Sequence, residues 1–281
     1  MKRFLIILGV LVLACGLFAG YVAYDDHRIG MSSYEIYSPK LPESFRDYNI
    51  LLITDFHNSY FYDKVAQKVK EANPDVILLG GDIATLSSEY EKTSANAVRL
   101  IGQLKDTAPI YMVTGNHEAY NNFKGAIQES FKQAGAKIID KKDVYLEKGG
   151  KSIRLFGMKD PGIPDGELAQ SKQIKEYLNG VKKEMKEEEF NLLLTHRANL
   201  FPIVAPAGFD LVLSGHLHGG LIRIPFAGGL VSPDREWFPE FTSGVYFRDK
   251  TKMVVSRGTD YDTSRLRVLN GPEVVKVTLK K

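Results

Sequence analysis

The chain has 281 residues, 44% apolar and 25% charged, with a net charge of +3. That is room for one full hydrophobic core, and it excludes disordered, collagen-like and disulfide-stapled classes. Lys2 and Arg3 supply two of the charges, leaving 3 − 2 = +1 for the rest, and no basic stripe argues for nucleic acid.

Met1-Lys2-Arg3 precedes Phe4 to Tyr24, a run without a charge. At 1.5 Å per residue it spans roughly 31 Å, about one bilayer core. A cleaved signal peptide has a shorter apolar region and an Ala-x-Ala-like site. This run instead continues to Asp25-Asp26, so residues 1–24 read as an uncleaved signal anchor. Lys2 and Arg3 place its N-terminus in the cytoplasm and the remainder on the outer face. Val12-Leu13-Ala14-Cys15 loosely resembles a lipoprotein cleavage box, which leaves lipidation of the single cysteine as an alternative. The folded part then has no thiol and suits either redox compartment. Residues 25–46, with Pro39 and Pro42, read as a tether with an edge strand at Tyr34 to Tyr37; residues 47–281 read as the catalytic domain.

From Asp47, strands Ile50–Thr54, Val76–Leu79 and Ile110–Thr114 alternate with helices Lys64–Ala72, Ser94–Leu104 and Asn122–Ala134. Asn73-Pro74 and Gly135 stop the first and last of these helices. A βαβαβα order implies a parallel sheet with right-handed crossovers. Lys137–Ile139, Val144–Glu147 and Ile153–Met158 then have hairpin-like spacing, and Glu176–Glu189 reads as a charged helix with a solvated face. Asn191–Thr195 and Leu211–Ser214 are buried strands. Gly244–Phe247, Met253–Ser256, Leu266–Leu269 and Val274–Leu279 end the chain. The expected fold is α/β: a four-layer α-β-β-α sandwich of two mixed sheets flanked by helices, preceded by one N-terminal transmembrane helix.

Five of the six histidines fall in four short clusters, each after an apolar run. These are Thr54-Asp55-Phe56-His57, Gly115-Asn116-His117-Glu118, Leu194-Thr195-His196 and Gly215-His216-Leu217-His218. Gly80-Gly81-Asp82 has the same setting without a histidine. Strand ends are where an open α/β sheet places its chemistry. In an extended chain residues i and i+2 point the same way, so Asp55 and His57 reach one cation, and His216 and His218 repeat the spacing. Asp82 has two oxygens and can bridge two cations. Asn116 offers a neutral oxygen and His196 arrives from a later strand. Gly215, Gly219 and Gly220 leave room for a substrate. This donor set suits two divalent transition metals. Such a pair clamps a phosphate and holds hydroxide at neutral pH. His117 is then placed to protonate the leaving oxygen or to touch the phosphoryl group. Alone, each cluster reads as a cap, a turn or a hydrogen-bonded histidine; their conjunction at five strand ends favours the metal reading.

These residues, in this order, resemble the calcineurin-like metallophosphoesterase superfamily over roughly 47–281. They are most similar to its exported or membrane-associated bacterial branch, which reads Ser-Gly-His-x-His-Gly-Gly (Ser214 to Gly220), Ile224-Pro225-Phe226 and Ser256-Arg257-Gly258. The resemblance implies Asp55, His57 and His218 on one metal, and Asn116, His196 and His216 on the other. It implies Asp82 as the bridge and His117 as the catalytic acid or phosphate contact, oriented by Glu118. Asn58 would support the site or touch phosphate. The chain departs from the pattern at Phe56, and Ile83 to Leu86 lacks the acidic residue common after Gly-Asp.

Gly219 to Gly244 is a long connection after the last histidine pair, carrying Phe226, Trp237, Phe238 and Phe241 with Arg223 and Arg235. These residues suit a lipid-linked or nucleotide-like phosphate, or the bilayer; the simpler reading packs the aromatics against the sheet. Arg257 is either a phosphate contact or part of a surface ion pair. The expected function is a monomeric, membrane-anchored phosphoesterase. It would use two divalent ions, Mn²⁺ first and Zn²⁺ or Fe as alternatives, to hydrolyse a phosphate ester by attack of metal-bound hydroxide. The other readings are a lipid-linked diphosphate hydrolase of the envelope and a non-catalytic metal-binding envelope module.

Overall fold

The computed structural model of the chain describes residues 1–162, 166–260 and 267–281. Helix α1 (Lys2–Asp26) is long and apolar enough to cross a membrane, and none of its residues is fully buried. The elements that follow are β1 (Gly30–Tyr37), β2 (Tyr48–Ile53), α2 (Tyr62–Glu71), β3 (Val76–Leu79), α3 (Tyr90–Leu104), β4 (Ile110–Met112), α4 (Asn116–Tyr120), α5 (Lys124–Ala134) and β5 (Ala136–Ile138). Next come β6 (Lys142–Lys148), β7 (Lys151–Met158), α6 (Gly166–Glu184), β8 (Asn191–Arg197), α7 (Phe201–Val204) and β9 (Leu211–Gly215). The chain ends with β10 (Arg223–Ile224), β11 (Gly228–Gly229), β12 (Gly244–Arg248), β13 (Thr251–Val255) and β14 (Glu273–Lys280).

Among the described residues these strands make two six-stranded mixed sheets and a two-stranded ribbon. The first sheet runs β1-β14-β2-β3-β4-β5, with β2 to β5 parallel and β14 antiparallel to β2. The second runs β12-β13-β9-β8-β7-β6: a parallel centre with an antiparallel hairpin at each edge. Strand alternation assigns the faces. Ile50 and Leu52 meet Leu192, Leu194 and Leu213 between the sheets. Leu51 and Ile53 turn outward onto Val65 and Val69 of α2 and Leu100 of α3. Leu193 and Val212 turn the other way, onto Ile174 and Leu178 of α6 and Phe201 of α7. The expected four-layer α-β-β-α sandwich is therefore the observed one.

Several boundaries differ from the expectation. The strand at Lys137 is β5, which joins the first sheet parallel to β4 rather than starting the hairpin of the second. Gly135, left-handed at φ 119°, turns α5 straight into it. The helix expected over Asn122–Ala134 starts at Lys124, because Asn116 to Tyr120 forms its own turn of helix. Helix α6 starts earlier than Glu176 and ends at Glu184. Of the strand expected at Leu266–Leu269, Leu266 lies outside the described residues, and Val268 makes only an isolated bridge to Ile222. The segment 25–46 packs into the domain: β1 pairs along its length with β14, and Ile36, Leu41 and Phe45 are buried between the sheets.

Candidate metal centre

Loops from both sheets meet at the C-terminal ends of their central strands. The loop after β2 lies along the loop after β3: the backbone N–H groups of Asp55, His57 and Asn58 donate to the carbonyls of Gly81, Asp82 and Ile83 at 3.0, 3.0 and 2.9 Å. The extended i, i+2 geometry expected of the pairs is not what brings their side chains together. Asp55, His57, Asn58, Asp82, His216 and His218 have φ of 50°, 48°, 54°, 52°, 78° and 47°. Left-handed backbone costs a residue with a Cβ roughly 1–2 kcal/mol. Such conformations persist where the surroundings over-determine them, and they gather at functional sites. His196 reaches the centre differently. Between Leu194 and Arg197, β8 carries one residue more than β9, and this bulge re-aims the side chain.

The convergence is tight. Asp55, His57 and His218 offer donor atoms within 4.8 Å of one another, as do His57, Asp82 and His117, and Asp82, His196 and His216. Asp82 Oδ2 lies 3.9 Å from His57 Nε2 and 3.3 Å from His196 Nε2, between the two halves. Asn116 Oδ1 is 3.1 Å from His196 Nε2. His117 Nδ1 is 3.2 Å from His57 Nδ1, and its Nε2 is 3.9 Å from Asp82 Oδ2. All eight residues proposed from the sequence are thus gathered in one place.

Five further residues, Asp260, Arg267, Asp234, Arg197 and Gly80, contact the imidazoles. Asp260 Oδ1 faces His218 Nδ1 at 3.2 Å and is itself paired with buried Arg267. Burial alone would raise the Asp260 carboxyl, but Arg267 and His218 outweigh it and keep it well below the usual range. Asp234 Oδ2 and Arg197 Nη1 lie 2.9 and 2.8 Å from His216 Nε2, and Arg197 Nε donates to Asp160 at 2.7 Å. The Gly80 carbonyl lies 2.9 Å from His196 Nδ1.

Two supporting roles read from the sequence change, and the ion-pair alternative for Arg257 is the one found. Glu118 does not orient the His117 ring: fully buried, its carboxylate accepts the backbone N–H groups of Asp82, Ala84 and Gly115 at 2.9, 2.7 and 2.8 Å. Burial and the Asp82 charge push its carboxyl up to about 7. The Asn58 amide is spent on α3: Oδ1 accepts from Asn96 and Ala97, and Nδ2 donates to the Lys92 carbonyl. Arg257 is bonded to buried Glu273 at 2.6 Å. The glycines also do something other than leave room for substrate. A Cβ on Gly215 would lie 2.4 Å from Asp55 Oδ2, and one on Gly219 would lie 2.1 Å from Asn270 Oδ1. Both admit protein neighbours.

The donor set fits divalent cations. With their Nδ1 protons assigned to the Gly80 carbonyl and to Asp260, His196 and His218 turn Nε2 lone pairs inward. Those lone pairs face His216 Nδ1 and His57 Nε2, each across 3.2 Å, and the Asp55 and Asp82 oxygens beside them. Each gap needs either a cation or a ring N–H of His216 or His57 in it. Burial drives the His57 ring down to about 3, so it stays neutral. Burial also opposes charge on His196, yet Asp82 outweighs it and raises that ring to about 10. A metal and that proton compete for the same lone pair. Imidazoles whose other nitrogen is held by a carboxylate or a carbonyl are the usual form of metal-ligating histidine.

Residues 48–220 match the family model for the calcineurin-like phosphoesterases. The chain belongs to the calcineurin-like phosphoesterase family. Metallophosphoesterases bind divalent metals, and the histidine–aspartate groups above are the candidate place in this one. The uncharacterized metallophosphoesterase YkuE of Bacillus subtilis (strain 168) is 27% identical over 272 residues, 93% of this chain and 89% of its own length. Phosphodiesterase YaeI of Escherichia coli (strain K12) is 25% identical over 243 residues, 83% of this chain and 82% of its own. A transmembrane protein with metallophosphoesterase domain from Danio rerio is 26% identical over 262 residues, 88% of this chain and 56% of its own.

Proposed function

We propose that this chain hydrolyses a phosphate ester with two divalent cations, and that α1 anchors it in a membrane with the domain on the outer face. Asp55, His57 and His218 would hold one ion, Asn116, His196 and His216 the other, with Asp82 shared. The observation that carries this reading is the position of Asp82 Oδ2 between the imidazoles of the two halves. A bound pair supplies Lewis acidity toward phosphoryl oxygens and lowers the pKa of a coordinated water. Mn²⁺ suits the nitrogen and oxygen donors, as do Zn²⁺ and Fe.

The chain's own groups supply orientation and a proton. The His117 ring is 13% exposed and the other four imidazoles 6% or less. His117 is therefore the ring placed to meet a substrate and to protonate the leaving oxygen from Nε2. Asp82 Oδ1 accepts the His117 backbone N–H at 2.7 Å, which fixes that ring's root beside the shared carboxylate. A second reading, a lipid-linked diphosphate of the envelope as substrate, is favoured by the exposed aromatic residues beside the centre and by α1.

The test uses the full chain in detergent, stripped of metal and reloaded with Mn²⁺. Metal content is measured together with turnover of a chromogenic phosphomonoester, a phosphodiester and a lipid diphosphate. The expected result is two ions per chain and turnover that Asp82→Ala and His216→Ala abolish while both variants stay folded by circular dichroism. Full activity in either variant, or no bound metal, refutes the reading. Two bound ions without turnover on any of the three substrates supports the non-catalytic alternative.

A further inference from the structure

The aromatic residues of the connection after the metal centre divide into two kinds. Phe241 is buried, edge-on to Phe201 and Tyr246. Phe226 is fully exposed, Trp237 is 68% exposed and Phe238 is 60% exposed. These three sit on one small ordered element. Arg223 and Ile224 pair with Gly229 and Gly228, with Phe226 in the turn between them. Leu230 N donates to the Ile222 carbonyl at 2.7 Å, Phe238 N donates to the Leu230 carbonyl at 2.8 Å, and Val231 bridges to Trp237. Three passes of backbone are thus bonded side by side, and the aromatic tips project from a fixed base. Phe226 and Phe238 hold φ of 67° and 51°. Glycine takes such positions without strain, yet this chain places a large apolar side chain at both and leaves it in solvent.

The root of α1 lies beside this element. Asp25 Oδ2, in the last turn of α1, accepts the Gly271 N–H at 2.9 Å. Arg223 N donates to the Val268 carbonyl at 2.9 Å, Val268 N donates to the Leu221 carbonyl at 3.2 Å, and Asn270 Nδ2 donates to the Leu221 carbonyl at 3.0 Å. The helix end and the aromatic element therefore hang on the same strip, Val268 to Gly271. Three residues of chain span at most about 11 Å. A cleft of about 590 Å³ lined by Phe226, Ile224, Tyr246 and Leu269 lies over that strip. At the helix end, exposed Tyr24 carries the Arg28 guanidinium 5.8 Å above its ring. Aromatic and basic side chains of this kind collect at membrane interfaces.

We propose that residues 222–238 form a membrane-docking element, with Phe226, Trp237 and Phe238 entering the interface of the bilayer that holds α1. This rests on the anchoring part of the function proposed above and not on its chemistry. Adjacent Arg235 and Glu236 balance in charge, so the element suits a zwitterionic surface and needs no anionic lipid. Asp234, on the same element, contacts His216. Docking therefore holds the metal centre close to the headgroups, where a phosphoester carried on a lipid would present itself.

Trp237 is the one tryptophan of the chain, so its emission reports the element without a label. The full chain is reconstituted in phosphatidylcholine vesicles, with lipids brominated near the headgroup end or near the terminus of the acyl chain. Interfacial elements bury their apolar side roughly 5–10 Å into the headgroup–acyl boundary. The expected result is therefore strong quenching by the shallow bromines, weaker quenching by the deep ones, and protection from aqueous acrylamide. The Phe226→Ser/Phe238→Ser variant, with Trp237 kept, should lose the bromine quenching while retaining its bound metal. Emission indifferent to brominated lipid overturns the proposal. If acrylamide reaches Trp237 the element is in water; if acrylamide is also excluded, another protein surface covers it. Flotation with the vesicles is scored separately. A chain that does not float refutes the anchoring, and the docking with it, while leaving the phosphoesterase reading to its own test.

Discussion

Replacing Glu118 tests whether this residue is an architectural clamp or a partner of His117. Its carboxylate is fully buried and accepts three backbone N–H groups, from Asp82, Ala84 and Gly115. It ties the loop after β3 to the start of α4. Glu118→Ala leaves three buried donors without an acceptor, at roughly 1–3 kcal/mol each. A water entering the vacated space would satisfy some of them, so the expected loss is about 3–5 kcal/mol. That is a large share of the ~5–15 kcal/mol that stabilises a typical domain. Glu118→Gln keeps one oxygen where two of the N–H groups converge and turns its NH₂ against the Ala84 N–H. It loses about one charge-assisted bond, roughly 1.5–3 kcal/mol. It also removes a carboxylate whose ionisation burial already opposes, so it should cost less than alanine. The assay is urea unfolding of the full chain in detergent, followed by far-ultraviolet circular dichroism. Chelator is present throughout, so that metal binding does not enter the difference. Trp237 lies in the exposed element and would report that element rather than the core. A Glu118→Ala chain within ~1 kcal/mol of wild type, inside the ordinary scatter of point substitutions, would refute the clamp. So would a glutamine variant less stable than the alanine one.

Asp260→Asn should weaken the cation site at His218 by roughly 10–100-fold, the usual effect of losing a carboxylate behind a metal-ligating imidazole. Competition against a fluorescent chelator measures it, and unchanged affinity would remove Asp260 from that role. Gly81→Ala must fail for two reasons: φ is 93°, and the new Cβ would lie 2.7 Å from both Gly115 N and His196 Nδ1. The expected signature is a lowered urea midpoint together with loss of bound metal; a variant that binds two ions normally would show that the loop relaxes freely. Phe45→Ala, in the segment before β2, should destabilise by about 3–5 kcal/mol, as buried aromatic truncations do. A loss under ~1 kcal/mol would mean that the segment is only a tether, whatever its burial.

The strands were legible because their composition is one-sided. Ile50 to Ile53, Leu192 to Leu194 and Leu211 to Leu213 are apolar on both faces, as central strands covered on both sides must be. The clusters at their ends were legible for the same reason, since polar residues following such a run mark the edge of the sheet. The backbone that aims them was not. Nothing in Asp55, His57 or His218 announces a positive φ, because that conformation is imposed by neighbours such as the Gly81, Asp82 and Ile83 carbonyls that fix the first loop. The supporting carboxylates were missed because they follow no period. Asp234 is 18 residues from His216 and Asp260 is 42 residues from His218, each in a loop whose pattern resembles any other polar loop. Beginning the domain at residue 47 likewise passed over Ile36, Leu41 and Phe45, whose apolar character is scattered among polar neighbours and shows its use only between the sheets.

The division of the centre between the two sheets has a consequence for how it is kept in shape. Asp55, His57, Asp82 and Asn116 follow strands of the first sheet, and His196, His216 and His218 belong to or follow strands of the second. Neither sheet holds a complete set. Their spacing is fixed by close packing between the sheets, where Leu52 and Leu78 meet Leu194 and Leu213. It is fixed again at the rim, where the His216 N–H donates to Asp55 Oδ2 at 3.0 Å across the seam. A methyl group added at Gly215 would land 2.4 Å from that same carboxylate oxygen. Protein interiors are too densely packed to absorb such changes locally. Substitutions in the intersheet core should therefore appear at the metal centre as altered ion affinity, whereas substitutions of matching size under the outer helices should appear as lost stability alone.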